Sequence, residues 1–445
     1  MITRWVMQQR SRRGFVLATV LIFIVVVTIA GGAFLNLAAS EGLHASQSAL
    51  PVKALYLAEA GCQWGRAWLS AQATPPEQVT PITFGDRGLG DGSYRVTINP
   101  DPGNPSNFIK RYTIVGEGRV RSEDGMAVRA SKSVTMVVRL ESFARYAYLT
   151  NNERSADNRT TMWFVSADRI NGPLHSNSQI HISGSPTFEG LVTSTASSFD
   201  FYNGGPPLDN PNFVEGYKLN AAERDFREVA NLRQLEDAAR AGGLRLRVQT
   251  AEIRFNADGT MTYRTESGNK WSSWTTSALP GNGVIYVEGD AIVYGTLRGQ
   301  VTLATQQGKS IQIPSDLCYS GDPSDPACTD MLGLVAGQSI NVTKSSPAGA
   351  NLTIHASMIA LGTHFTVDDY DSIPVMGTLT VYGSIVQKNR GPVATFDPRT
   401  GRIISGYAKN YWYDNRLRDR TPPYFPTTGR YEVVSWAESA TNIGD

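Results

Sequence analysis

Cysteine is scarce, with three residues in 445: Cys62, Cys318 and Cys328. They are too few for a disulfide-stapled scaffold, and with the histidines they form no cluster of zinc-binding spacing. Histidine is nearly as rare. His44, His175, His181, His355 and His364 form no His-x-x-x-His pair, and only His175 and His181 lie close together. No metal or cofactor is therefore expected. Charge of one sign is lacking too, because 41 Lys and Arg against 40 Asp and Glu leave a formal +1. That balance offers no field to gather a polyanion, and nucleic acid is not expected as a partner. The chain also has no nucleophile elbow, phosphate-binding glycine loop or dinucleotide fingerprint, which makes catalysis the minority reading.

Two small clusters bear on chemistry. Cys318 and Cys328 flank a short loop containing Pro323 and Pro326. A bridge there would close the loop in an oxidising compartment, and two free thiols fit the sequence equally well. Asp368, Asp369 and Asp371 form an acidic group without the spacing of a calcium loop, so a solvated turn is the expectation.

What the chain has in abundance is one apolar run. No charged residue occurs between Gly14 and Ser40, and Arg4, Arg10, Arg12 and Arg13 all precede the run. Its length spans a bilayer as a single helix. The basic flank keeps the N-terminus in the cytoplasm and sends the remainder across. The run is longer than the core of a cleaved secretory signal and continues into helix-compatible sequence, so the anchor is expected to stay on the chain.

The boundary Arg12-Arg13-Gly14-Phe15 resembles a prepilin leader. Ala54, Leu55, Tyr56, Leu57, Ala58, Glu59, Ala60 and Gly61 resemble the corresponding stretch of PilX-type minor pilins and pseudopilins. The resemblance implies that a prepilin peptidase cuts between Gly14 and Phe15 and that the new N-terminal Phe15 is methylated. It further implies that the helix packs beside other pilin-like subunits of a type IV pilus or type II secretion system. The protein would then sit in the bacterial inner membrane by one span, with its C-terminal part periplasmic or at the cell surface. Major pilins carry glutamate as the fifth mature residue, and Thr19 stands here. This points to a minor, tip or accessory component.

Beyond residues 1–14 (leader) and 15–70 (helix, with Pro51 inside), residues 71–145 are expected to form a small antiparallel sheet. Tyr94, Val96 and Ile98 alternate with polar neighbours, as do residues along 111–116 and 127–140. That sheet should pack on the helix face carrying Trp64 and Trp68. From Ala147 to Ser194 the chain, including Asn171-Gly172-Pro173-Leu174-His175-Ser176-Asn177, resembles the DUF4900 family, whose activity is not established. Residues 146–408 are expected to form a β-rich DUF4900-like domain, interrupted by a helix over 220–241 that Asn220 caps and Gly242 and Gly243 stop.

The fold class expected is α+β, mainly β. Short runs such as 284–287, 291–294, 332–335 and 379–382 suit a β-solenoid (parallel β-helix), with a β-sandwich as the alternative. A hairpin at Gly289-Asp290 remains open at this point. Residues 409–445 form an aromatic tail with Tyr411, Trp412, Tyr413, Tyr424 and Phe425. Packing on the solenoid is its favoured role, and sugar or partner binding is the other. A non-catalytic assembly component is thus expected, with a glycan-binding adhesin or a β-helix carbohydrate-active enzyme as rivals.

Overall fold

The computed structural model describes residues 13–72, 74–104, 108–122, 127–343, 349–397 and 402–439, with backbone alone at 13–15, 43–47 and 439. Helix α1, Arg13–Ser70, runs through Pro51. Its two halves differ. Over Val16–Gly42 the mean hydropathy is 2.7 and none of the helix is buried. From Ala54 onward one face is buried instead, with Ala54, Leu57, Ala58, Cys62 and Leu69 all at 5% exposure or less.

That face packs on an antiparallel sheet of β1 (Ile82–Leu89), β2 (Gly92–Pro100), β3 (Arg111–Arg121) and β4 (Val128–Ser142). The alternation along 94–98 turns Val96 and Ile98 inward, beside Ile114, Val134, Met136 and Val138. Contact is close because both partners offer small residues. A Cβ on Gly116 would lie 2.2 Å from the Ala58 carbonyl oxygen, and one on Gly118 would lie 2.0 Å from that of Ala54. Cys62 sits in this core, its Sγ 3.4 Å from the Val134 carbonyl, and burial pushes the thiol up to about 11. Trp64 and Trp68 meet Phe84 edge-on at 4.7 and 5.1 Å and stay half-buried.

The C-terminal strand Thr427–Ser439 returns to pair antiparallel with β4. Everything between is therefore inserted between neighbouring strands of one sheet. The expectation of a single aromatic tail lying on the solenoid is corrected accordingly: 409–413 belongs to the strand Ile403–Tyr413 of the solenoid, and 427–439 completes the small sheet. This outer strand buries Tyr431 but leaves Val433, Val434 and Trp436 exposed.

The insertion is a three-sided solenoid of mostly parallel strands, with antiparallel pairing at 250–278 and 394–406, so the sandwich alternative falls away. On its first face Leu244–Leu246, Val284–Val287, Gln300–Thr305, Met331–Ala336, Leu352–Ala360 and Val375–Asn389 stack in chain order. The next strand in the stack is Tyr148–Asn152, followed by Leu174–Ser176, Val192–Ser194 and Tyr217–Lys218. The chain thus enters the solenoid in its middle, builds to one end, crosses to the other, and builds back to the entry point. Ile385 paired with Tyr148 and Asn171 bridged to Trp412 mark this out-of-sequence seam. Gly289-Asp290 is a corner between two faces of one coil, not a hairpin.

Helix α2, Glu228–Gly242, lies along the return path. It starts later than the spacing predicts. Residues 220 and 221 are drawn onto the last coil instead, where Asn220 and Ala221 donate to the carbonyls of Ala196 and Ser194 at 3.0 and 2.8 Å. Arg227 then enters the helix in the left-handed region, with φ 46°. Leu232, Leu235, Ala238 and Ala239 cover the outer side of the first face over Val284, Tyr286, Ala304 and Val335. Strands buried on both sides read as continuous apolar runs, which is why Val284–Val287 and Met331–Ala336 show no alternation.

Sheet and solenoid are fastened by Glu141. Its buried carboxylate accepts from Tyr146 Oη at 2.6 Å, Thr428 Oγ1 at 2.8 Å and Arg224 Nε at 3.1 Å. Those groups come from β4, the entry segment, the return segment and the C-terminal strand. A buried carboxylate needs such a full set of partners.

Candidate functional sites: the exposed helix and the solenoid seam

The unburied half of α1 presents Val, Leu, Ile and Phe on every side, among them Leu17, Phe23, Ile29 and Phe34 at 67–72% exposure. A helix apolar all round is built to be enclosed by lipid or by other helices. Its hydroxyls are turned back on the backbone. Thr19, Thr28 and Ser40 donate to the carbonyls of Val16, Ile24 and Leu37 at 3.0, 2.7 and 2.8 Å. This single helix is long and apolar enough to cross a membrane. Residues 1–12 of the expected leader lie outside the described residues, and at Gly14 and Phe15 only helical backbone is described.

The other residues singled out by sequence are dispersed. Cys318 and Cys328 are free thiols and form no bridge in the structure. Cys318 directs its Sγ to the Thr353 carbonyl of the next coil at 3.9 Å, whereas Cys328 lies buried beside Gly321. His175 and His181 serve different neighbours. His175 contacts Thr193 Oγ1 at 2.7 Å and Asn177 Oδ1 at 2.9 Å, and His181 contacts Asp200 at 2.8 Å. Burial pulls His175 down to about 4. Asp368 accepts from Asn341 at 2.7 Å in the turn that carries Asp369 and Asp371. Among the described residues no group of three or more His, Cys, Asp or Glu side chains is placed to hold a metal ion.

The aromatic segment divides. Tyr413 and Phe425 are buried at 3% and 2% exposure, while Trp412 remains 46% exposed. Trp412 borders a cavity of about 80 Å³ at the seam, lined also by Asp168, Arg169, Asn171, Lys409 and Asn410. Beneath it lies a charge cluster absent from any sequence motif. Asp168 accepts from Lys409 at 3.0 Å and from the Val165 N–H at 2.9 Å. Arg390 reaches Glu153 at 3.2 Å and Asp168 at 3.9 Å while lying 3.7 Å over the Phe164 ring. Burial by itself would raise the Asp168 carboxyl, but Lys409 and Arg390 overcome it and hold the group below the usual carboxylate range. At the rim Arg169 pairs with Glu189 at 2.7 Å, and Asn171 also donates to that carboxylate. The Trp412 indole N–H is satisfied by Asn410 Oδ1 at 2.8 Å.

No spacing rule could have grouped these residues. They come from 148–171, 390 and 409–412, and only the out-of-sequence stacking of coils unites them. Isolated charges within apolar strand patterns were the sole trace.

No curated protein matches this chain. A solved structure of the competence-associated pilin ComZ from Thermus thermophilus aligns at 13% identity over 88% of this chain and 98% of that one, with a TM-score of 0.34. Residues 107–197 match the domain of unknown function DUF4900, so a DUF4900 segment spans the second half of the antiparallel sheet and the first coils laid down in the solenoid.

Proposed function

We propose that this protein is a non-catalytic minor pilin or pseudopilin-like component of a type IV pilus or type II secretion system. In this reading it is held in the bacterial inner membrane by α1 and acts in assembly or at a filament tip. The observation that carries the proposal is the division of one 58-residue helix into a wholly unburied apolar half and a half packed on a small antiparallel sheet. The Gly14-Phe15 boundary and the Ala54–Gly61 stretch, which supplies the small residues of that packing, support it from the sequence. Thr19 favours an accessory role over a shaft subunit, since it carries no carboxylate to neutralise a neighbour's N-terminal amine in apolar surroundings. The partners implied are a prepilin peptidase, the helices of other pilin-like subunits and the membrane.

Processing tests this directly. Mass spectrometry of the protein from cells with an active prepilin peptidase should find a chain beginning at methylated Phe15, and Gly14→Val should leave the full precursor. A wild-type chain that retains residues 1–14 would overturn the proposal.

A further inference from the structure

The seam cavity has the chemistry of a small-molecule site. Trp412 presents an exposed indole whose only donor is already engaged by Asn410, so what it offers a ligand is its π surface. Around it stand Asn171, Arg169 and Lys409, side chains with donors or acceptors to spare beyond the bonds they make. The surrounding charges cancel: Lys409 and Arg390 face Asp168 and Glu153, and Arg169 faces Glu189. Each cation at the cavity is thus paired with a carboxylate, which leaves no unpaired charge there to demand a charged ligand. At the roughly 30 Å³ that each water takes in the liquid, about 80 Å³ admits two or three waters, so a ligand would enter the cavity by one edge and lie over the exposed Trp412.

A ligand suited to these walls is neutral, has one face of C–H groups to lie on an indole, and carries hydroxyls around its edge for amide, guanidinium and ammonium groups. We propose that the seam cavity binds a pyranose unit of a neutral glycan, with Trp412 as the stacking platform and Asn171, Arg169 and Lys409 as hydroxyl partners. The proposal goes beyond the anchoring role, and it takes from that role only that the solenoid lies outside the cytoplasm. It also accounts for Trp412 staying exposed while Tyr413 beside it is buried. The buried pairs beneath hold the cavity's lining rigid, as polar side chains locked by neighbours do in preorganised sites.

The test uses the purified full chain in a detergent without a sugar headgroup, titrated calorimetrically with cellohexaose, chitohexaose and maltohexaose. The readout does not depend on leader cleavage, so its failure is distinct from failure of the anchor proposal. At least one oligosaccharide should bind. Trp412→Ala should raise its dissociation constant tenfold or more, Trp412→Phe should restore most of the affinity, and Trp436→Ala should leave it unchanged. Trp436 is a fair control because it is exposed to a similar degree, at 44%, but lies on the small sheet. No binding of any of the three up to millimolar concentration overturns the proposal. So does binding that Trp412→Ala leaves intact, or that Trp436→Ala weakens equally.

Discussion

The small sheet and the solenoid solve the burial problem in opposite ways. In the sheet, antiparallel strands alternate, one side meets α1, and cohesion depends on glycines that let helix and strand backbones approach. In the solenoid, parallel strands stack coil on coil, strands such as Val284–Val287 and Met331–Ala336 in the first face are buried on both sides, and one joint is closed by non-sequential segments locked with buried charge. The first arrangement is local over α1 and β1–β4, takes only its last strand from the far end of the chain, and tolerates solvent on one side. The second depends on distant segments meeting in the correct order, and so places costly polar groups where they meet.

The sharpest way to break the comparison is to crowd the helix contact. Gly118→Val puts side-chain atoms into the Ala54 and Ala58 backbone, and overpacking against backbone that cannot yield should cost more than about 3 kcal/mol. Hydrogen exchange read by mass spectrometry should show protection lost along β1–β4 and the second half of α1, with the strands at 284–336 unaffected. Equal loss in both bodies would mean that they do not differ in this way.

Next in size is the seam. Arg390→Met leaves Glu153, which is fully buried, without its cation, and Asp168 with only Lys409. Removing one partner of a buried pair costs about 3–5 kcal/mol. The loss should appear in thermal unfolding and as faster exchange in 148–152 and 384–389, while β1–β4 keep their protection.

Acid should act on the solenoid through His175. Burial holds its folded value near 4 against an ordinary 6.5, so below pH 6.5 the unfolded chain takes up a proton that the folded chain refuses. This contribution is whole above pH 6.5 and is lost as pH falls toward 4, up to about 3 kcal/mol. Denaturation midpoints across that window should fall less steeply in His175→Gln than in the wild type. Parallel slopes would assign the acid sensitivity elsewhere.

The smallest effect concerns the thiols. With Cys318 and Cys328 unbridged, Cys318→Ser should change stability by under about 1 kcal/mol. Alkylation of the denatured chain without reductant should modify all three cysteines. Recovery of only one modified cysteine would establish the bridge that the sequence left open.

Legibility followed the same divide. The sheet over 82–140 could be read because Tyr94, Val96 and Ile98 alternate against neighbours only a turn away. Short runs and glycine corners indicated the solenoid, but its coil order could not be read, because each run is equally compatible with any neighbour of matching shape. The start of α2 was misplaced because Asn220 and Ala221 answer to the last coil rather than to their own helical spacing. Of the candidate sites, the exposed helix was visible as composition. The seam was not, since Arg390, Asp168 and Trp412 have no common period.

By itself, then, the sequence determined the apolar N-terminal helix, its basic flank, the alternating sheet and the mainly β body, because hydrophobic length and period are carried by residues close along the chain. Only the tertiary structure decided that the solenoid is inserted before the last strand of the sheet, that its coils stack out of order, and that Trp412 stands over a neutralised charge cluster. Those features arise from which distant surfaces bury one another, and the free energy of that burial is not written in any local stretch.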